Sequence, residues 1–260
     1  MADILLTNDD GFSSQGFLVL LNELKKEHKV IGVAPKNERS WIGKSISAHN
    51  EVILEKVKSN LYSLTGTPAD CTQVGIYDVL KRKPDLVVSG INLGLNAGHG
   101  RILSSGTIGA AMEASIDGVK SVSTSIHIPI ELKKSLDLHD KKNRKIFINA
   151  AKITCKVIKI FMNADYGTST DLLSLNIPFD ATIDSPIEIT VPDRQPLGQL
   201  FFKKGKFHKL KIPPLLFESS SKGTDLRALY ENKISLTPIS LELVSRNSLK
   251  NLKTIIKKKW

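Results

Sequence analysis

The chain opens with an apolar run, Ile4-Leu5-Leu6-Thr7, that stops at the polar stretch Asn8-Asp9-Asp10-Gly11. A short apolar segment halted by turn residues is the pattern of a buried parallel strand. Beyond it, Phe17, Leu20, Leu21 and Leu24 recur at i, i+3, i+4 and i+7, which predicts a helix from Phe17 to Lys26. The alternation continues. Val30–Ala34 reads as a strand closed by Pro35, and Val52–Leu54 with Leu61–Leu64 as a short hairpin. Thr67 is placed to cap a helix that has Pro68 at its first position and runs through Val74, Ile76, Tyr77 and Leu80. Leu86–Val88 predicts a third main strand ending at Ser89-Gly90, Thr107–Ile116 a helix of small residues, and Val122–Ser125 another strand.

The second half is less regular. Lys141 to Met162 carries helical spacing, Leu172–Ile177 is a strand stopped by Pro178, and Ile187–Val191 is a further strand. Residues 192–223 have weak periodicity and exposed-type aromatics, the pattern of a protruding arm or long hairpin. Ile234–Ile239 reads as an edge strand or turn, and Leu249–Trp260 as a basic helix. Strands alternating with helices predict an α/β fold with a mostly parallel, doubly wound sheet and helices on both faces. The expected division is a catalytic core over 1–180 and a C-terminal arm, hairpin and tail over 181–260.

Composition narrows the class. A hydrophobic fraction of 41% and a charged fraction of 24% are those of a globular protein. No apolar run approaches the roughly 18 residues of a membrane span, and the N-terminus lacks the basic region of a signal peptide. Cys71 and Cys155 are too few for a disulfide framework or a zinc cage, so a reducing, cytoplasmic setting is expected. The net charge is +11, yet residues 1–130 hold 13 basic and 13 acidic side chains, so the whole excess lies in the second half. Such asymmetry fits a nucleic-acid surface or a lysine-rich surface that attracts small anions. Few aromatics and no nucleic-acid motif accompany it, so a nucleic-acid partner is not expected.

The chemistry sits at strand ends. Open α/β sheets bind ligands beyond the carboxyl ends of their strands. The first strand ends at Asp9-Asp10, the second leads to Glu38-Arg39-Ser40, and the third to Asn92, Asn96 and a run of glycines. Carboxylates, a hydroxyl and an amide carbonyl are hard oxygen donors that suit Mg²⁺, Mn²⁺ or Ca²⁺ rather than zinc or copper. Ser105-Gly106-Thr107 opens a helix whose free N–H groups would cradle a phosphate. Taken alone, the Asn8–Gly11 stretch reads equally well as an ordinary helix cap, and the Ser105-Gly106-Thr107 turn more readily as one. A metal beside a phosphate cradle is the arrangement for phosphate-ester hydrolysis. The dinucleotide fingerprint, the Walker lysine loop, the G-x-S-x-G elbow and H-E-x-x-H are all absent. His99, in the glycine loop, stands either as a donor to a leaving group or as a solvated loop residue.

Several ordered motifs together resemble the SurE family, the survival-protein phosphatases. They are Ile4–Gly11, Ala34-Pro35 with Glu38-Arg39-Ser40, Gly66–Cys71, Ser89-Gly90-Ile91-Asn92 with Gly94 and Asn96, Ser105-Gly106-Thr107, Leu175–Pro178 and Ser235–Ile239. The resemblance is dense over 4–130 and sparse afterwards. It implies a Rossmann-like three-layer sandwich and a phosphomonoesterase acting on nucleoside 5′- and 3′-monophosphates, sometimes also on short polyphosphate. It further implies one Mg²⁺ or Mn²⁺ per subunit and a homodimer or homotetramer joined by the C-terminal arm. By position, the metal ligands would be Asp9, Asp10, Ser40 and Asn92. Phosphate would be held by Asn96, Ser105, Gly106 and Thr107. Asp9, which would orient or deprotonate the attacking water, and Asn96 are the catalytic candidates, and Arg39 would brace its loop. Leu95, His99-Gly100 and Ser104 depart from the family pattern, which bears on substrate preference and leaving-group protonation while leaving the ligands intact. The alternative is a nucleotide- or nucleic-acid-binding sensor without turnover.

Overall fold

The computed structural model describes residues 1–129, 132, 144–164, 170–213 and 215–259. At its centre β1 (Asp3–Thr7) lies parallel to β2 (Lys29–Pro35) on one side and to β5 (Leu86–Leu93) on the other. β4 (Leu61–Leu64) extends the sheet in parallel beyond β2. β6 (Ser121–His127) and β7 (Leu172–Pro178) extend it beyond β5. β3 (Leu54–Lys58) closes the first side, antiparallel to β4. β11 (Ile234–Ile239) and β8 (Ile187–Ile189) complete the other side. Among the described residues the nine-stranded order is β3-β4-β2-β1-β5-β6-β7-β11-β8.

The apolar runs are buried on both faces, as parallel strands with helices on either side require. Successive side chains of β1 point to opposite faces. Ile4 and Leu6 enter the cluster shared with α1 (Gln15–Leu24) and α5 (Lys145–Asn163), while Leu5 enters the cluster of Cys71, Ile76 and Ala114. These last come from α2 (Pro68–Val74), the wider turn that continues it over Gly75–Leu80, and α4 (Gly106–Ile116). The result is three layers, with α1 and α5 on one face and α2 and α4 on the other. Leu5 and Leu6 are fully buried, and each such side chain stabilises the fold by about 2 kcal/mol.

Helix starts follow the caps. Ser14 accepts from Phe17 N at the start of α1, and Thr67 and Asp70 form a reciprocal capping box at α2. α4 begins at Gly106, one residue earlier than expected, because Ser105 caps it through Ile108 N.

Four expectations are corrected. The predicted strand Leu86–Val88 continues to Leu93, with a register shift between Ser89 and Asn92, so Asn92 sits on the strand rather than in a following loop. Ile234–Ile239 is no edge strand: it pairs antiparallel with β7 and parallel with β8. The first hairpin strand is Leu54–Lys58, later than Val52–Leu54. His99 opens a short helix, α3 (His99–Ser104), instead of lying in a loop.

Residues 192–223 contain an exposed hairpin of β9 (Phe201–Lys204) and β10 (Phe207–Leu210). α6 (Asp225–Tyr230) then leads back to the sheet, and α7 (Arg246–Lys259) ends the chain. The expected helical start at 141–143, and Trp260, lie outside the described residues. Among the described residues no helix is long and apolar enough to cross a membrane.

Candidate active site

The parallel register brings Asp9, Pro35, Asn92, Ser125 and Asn176 to one edge of the sheet, because each stands at the carboxyl end of a strand or just beyond it. Direct contacts then join them. Thr107 Oγ1 donates to Asp9 Oδ1 at 2.6 Å, which ties β1 to the first turn of α4. Gly106 lies against the same side chain: a Cβ there would stand 2.9 Å from Asp9 Cβ. Only a residue without a side chain lets the helix end approach so closely. Leu93 N donates to Asp10 Oδ2 at 3.0 Å, which ties β1 to β5 beside Asn92. Arg39 N donates to Asp9 O at 2.8 Å, which fixes the loop that carries Ser40.

A second set of bonds holds Asn96. Its Nδ2 donates to Ser125 Oγ at 2.9 Å and its backbone N to Asn176 Oδ1 at 2.8 Å. Asn92 and Ser125 are register partners, so Asn96 is held next to Asn92. Asn176 and Ser125 are supports to which the sequence reading gave no role. Their signal was position alone: polar residues near the carboxyl ends of buried strands. Asn8 was likewise passed over. Its Nδ2 donates to Gly11 O and Ser14 Oγ and so shapes the turn that presents both aspartates.

The proposed residues converge unequally. Asp9, Gly106 and Thr107 are joined by direct contact, Asp10 is bonded to Leu93 N next to Asn92, and Asn96 is held separately by Ser125 and Asn176. Ser40 follows Arg39, whose backbone N is bonded to Asp9 O, and its own hydroxyl donates to Glu38. Ser105 uses its oxygen as the acceptor of the α4 cap. Arg39 reaches Thr65 O at 3.0 Å and braces the loop, as expected. His99 approaches Asp193 O with Nδ1 at 3.0 Å. The site grades outward from buried Asp9 to half-buried Asp10 and Asn92 and exposed Ser40.

Burial pushes the Asp9 carboxyl up to about 6. Hydrogen bonds from Thr107 oppose that shift, and the nearby Glu38 charge adds to it. A cation beside Asp9 would reverse the push. Among the described residues no cluster of three or more His, Cys, Asp and Glu side chains suits a metal ion. The donor set here is instead two carboxylates with neutral oxygens from Ser40 and Asn92. Asn92 Nδ2 donates to Gly94 O at 2.6 Å, which leaves its carbonyl end for a cation. The buried Asn8 Oδ1, beside Asp9, has no hydrogen-bond partner among the described residues. Hard oxygens with few protein ligands fit Mg²⁺ or Mn²⁺, which keep water and phosphate oxygens in their remaining positions.

The family model described as "Survival protein SurE" matches residues 4–196. A protein of Methanococcus vannielii named 5′-nucleotidase SurE is 36% identical over 270 residues, covering 99% of each chain. One of the same name from Methanocaldococcus jannaschii is 37% identical over 257 residues, covering 94% of each. The crystal structure of Sure protein from Aquifex aeolicus superposes with a TM-score of 0.81 at 29% identity, covering 97% of this chain and 99% of that one. A model match across most of the chain, together with relatives aligned nearly end to end, shows that this chain belongs to the SurE family.

Proposed function

We propose that the chain is a divalent-metal-dependent phosphatase that hydrolyses nucleoside 5′- and 3′-monophosphates to nucleoside and phosphate. The 5′-nucleotidase reading draws on the names of its relatives. The observation that carries it is the Asp9–Thr107 bond, which places a buried carboxylate against the N-terminal turn of α4 with Asp10 and Asn92 alongside.

Asp9, Asp10, Ser40 and Asn92 would hold one Mg²⁺ or Mn²⁺ per subunit. When bound, such an ion stabilises charge on phosphoryl oxygens and acidifies a water. The N-terminal turn of α4, at Ser105-Gly106-Thr107, would present the positive end of the helix dipole to the phosphoryl oxygens. Asn96, held by Ser125 and Asn176, orients the phosphoryl group. Asp9 orients the attacking water and takes its proton, with Thr107 fixing which carboxylate oxygen is engaged. The intact donor set favours turnover over a binding-only sensor.

The catalytic core is assigned to residues 1–180, with β8 and β11 from beyond it completing the sheet. Beyond residue 181, the β9–β10 hairpin and the C-terminal tail serve assembly. Phe201, Phe202 and Phe207 are exposed on the β9–β10 hairpin, and exposed apolar residues of this kind support a homodimer or homotetramer. The unpaired Cys71 and Cys155 support a cytoplasmic setting. The test is phosphate release from AMP and GMP, which should require Mg²⁺ or Mn²⁺ and stop with EDTA. Release undiminished by EDTA would overturn the metal-dependent reading.

A further inference from the structure

The loop that carries Ser40 is clamped to the site from both sides. Arg39 N donates to Asp9 O at 2.8 Å and Gly43 N to Ser104 O at 2.9 Å. Between these bonds Ile42 lies against the site: a Cβ at Gly106 would stand 3.1 Å from Ile42 Cγ2. The loop then runs directly over α4. A Cβ at Gly109 would stand 2.5 Å from Gly43 O, and Lys44 forms an ion pair with the buried Glu113 carboxylate. The end of β1, α3 and α4 together hold residues 39–44 in place.

Trp41 stands between the two clamps, next to Ser40. Its backbone is left-handed, with φ of 60°. Two other described non-glycine residues have positive φ, and both have a local reason. Lys81 is the C-cap of the turn after α2, and Asn232 lies just past the C-cap of α6, where Asn is tolerated. Trp41 ends no helix, and a bulky side chain is disfavoured in this conformation. Such a conformation persists where the surroundings over-determine it, and ligand clamps are places where it recurs.

The indole is not a core side chain. It is 36% exposed and joins none of the buried apolar clusters. Among the described residues it makes no hydrogen bond and no ring contact. The loop therefore holds a large aromatic surface at a fixed place on the rim, one residue from a proposed cation ligand.

We propose that the Trp41 ring is the platform on which the nucleobase of the substrate stacks. The inference deepens the phosphatase reading above and rests on it. With phosphate against Asp9 and the α4 turn, the ribose carries the base outward to the rim formed by the 39–43 loop. Every base has a π-face, so stacking tolerates changes of base. Trp41 thus selects nucleotides over phosphate esters that lack a base, rather than one base over another.

The experiment compares AMP, CMP and ribose 5-phosphate as substrates, with Mg²⁺, for the wild type, Trp41→Gly and Trp41→Phe. Glycine adopts the left-handed backbone without strain, so Trp41→Gly removes the ring and spares the loop. It should raise KM for both nucleotides about tenfold, the size of one lost base–aromatic contact, and change KM for ribose 5-phosphate far less. Trp41→Phe should recover most of the loss. An equal loss on ribose 5-phosphate would make Trp41 a loop brace and overturn the proposal, as would nucleotide KM values unmoved in Trp41→Gly. A second readout needs no turnover. In Trp260→Phe, Trp41 is the remaining tryptophan of the chain, and AMP should quench its fluorescence on mixing whereas ribose 5-phosphate should not. If the wild type releases no phosphate from any of the three, the phosphatase reading fails. The fluorescence then still decides the role of Trp41: quenching by AMP alone sustains the platform, and no quenching overturns it.

Discussion

Thr107 Oγ1 donates a 2.6 Å hydrogen bond to Asp9 Oδ1, joining positions 98 residues apart. This bond aims the buried carboxylate and makes the end of α4 part of the site. A hydrogen bond to an ionised group contributes about 1.5–3 kcal/mol. Thr107→Val keeps the side chain's shape and removes the donor. It should lower kcat on AMP by roughly tenfold or more, while Thr107→Ser should restore most of the loss. Equal kcat in Thr107→Val and wild type would remove Thr107 from the account.

Gly106 marks how tightly that helix end is set. A methyl at this position would stand 2.9 Å from Asp9 Cβ and 3.1 Å from Ile42 Cγ2. Both neighbours are side chains packed in the site, so Asp9 has to shift. Gly106→Ala should raise the Mn²⁺ concentration needed for half-maximal activity and lower kcat, with the thermal midpoint much less affected. A variant that matches the wild type in metal requirement would show the approach to be incidental.

The Asp9 carboxyl links stability to pH when metal is withheld. Its folded pKa is raised by burial from 3.8 to about 6. Ionisation is therefore harder in the folded chain than in the unfolded one. The stability this group lends is full below the unfolded value and is lost as pH rises through about 6. The shift corresponds to about 3 kcal/mol. In EDTA, Asp9→Asn should equal the wild type near pH 3.5 and exceed it in thermal stability at pH 8. Added Mn²⁺ should then stabilise the wild type and not the variant. Equal midpoints in EDTA across that range would contradict the assigned burial cost.

Asp225 ties the distal chain to the glycine loop. Its carboxylate accepts from Gly98 N, Asp193 N and Leu226 N at 2.7, 2.9 and 2.8 Å. Asp225→Ala leaves buried backbone donors unpaired and should cost about 2–4 kcal/mol in urea denaturation. It should also raise KM more than it lowers kcat, because the loop wall beyond Asn96 loosens while Asp9 stays in place. A loss confined to kcat would place Asp225 elsewhere in the mechanism.

The sequence revealed the strands whose apolar runs are buried on both faces, since β1, β5 and β7 carry their periodicity and their stop signals locally. It revealed the acidic strand end for the same reason. It did not reveal that Ile234–Ile239 enters the sheet beside β7. That pairing is antiparallel and spans about 60 residues of chain, so nothing local encodes it. The extension of β5 to Leu93 was hidden because Gly90 reads as a terminator, yet the strand resumes its pairing with β6 at Asn92. In the site, the aspartates and Asn92 were legible as chemistry. Asn176 and Ser125 were not, because their role is to hold Asn96 and appears only when strand ends are laid side by side.

The central claim is that Asp9, Asp10, Ser40 and Asn92 together hold one catalytic cation. Its most direct measurement is Mn²⁺ titration of the metal-stripped chain, read by electron paramagnetic resonance and repeated on Asp9→Asn, with phosphate release from AMP assayed on the same samples. The account predicts one Mn²⁺ per chain in the wild type, activity that rises with its occupancy, and loss of both in Asp9→Asn, with activity down about 100-fold or more. A variant that binds Mn²⁺ as tightly as the wild type, or that releases phosphate at the wild-type rate, would contradict it.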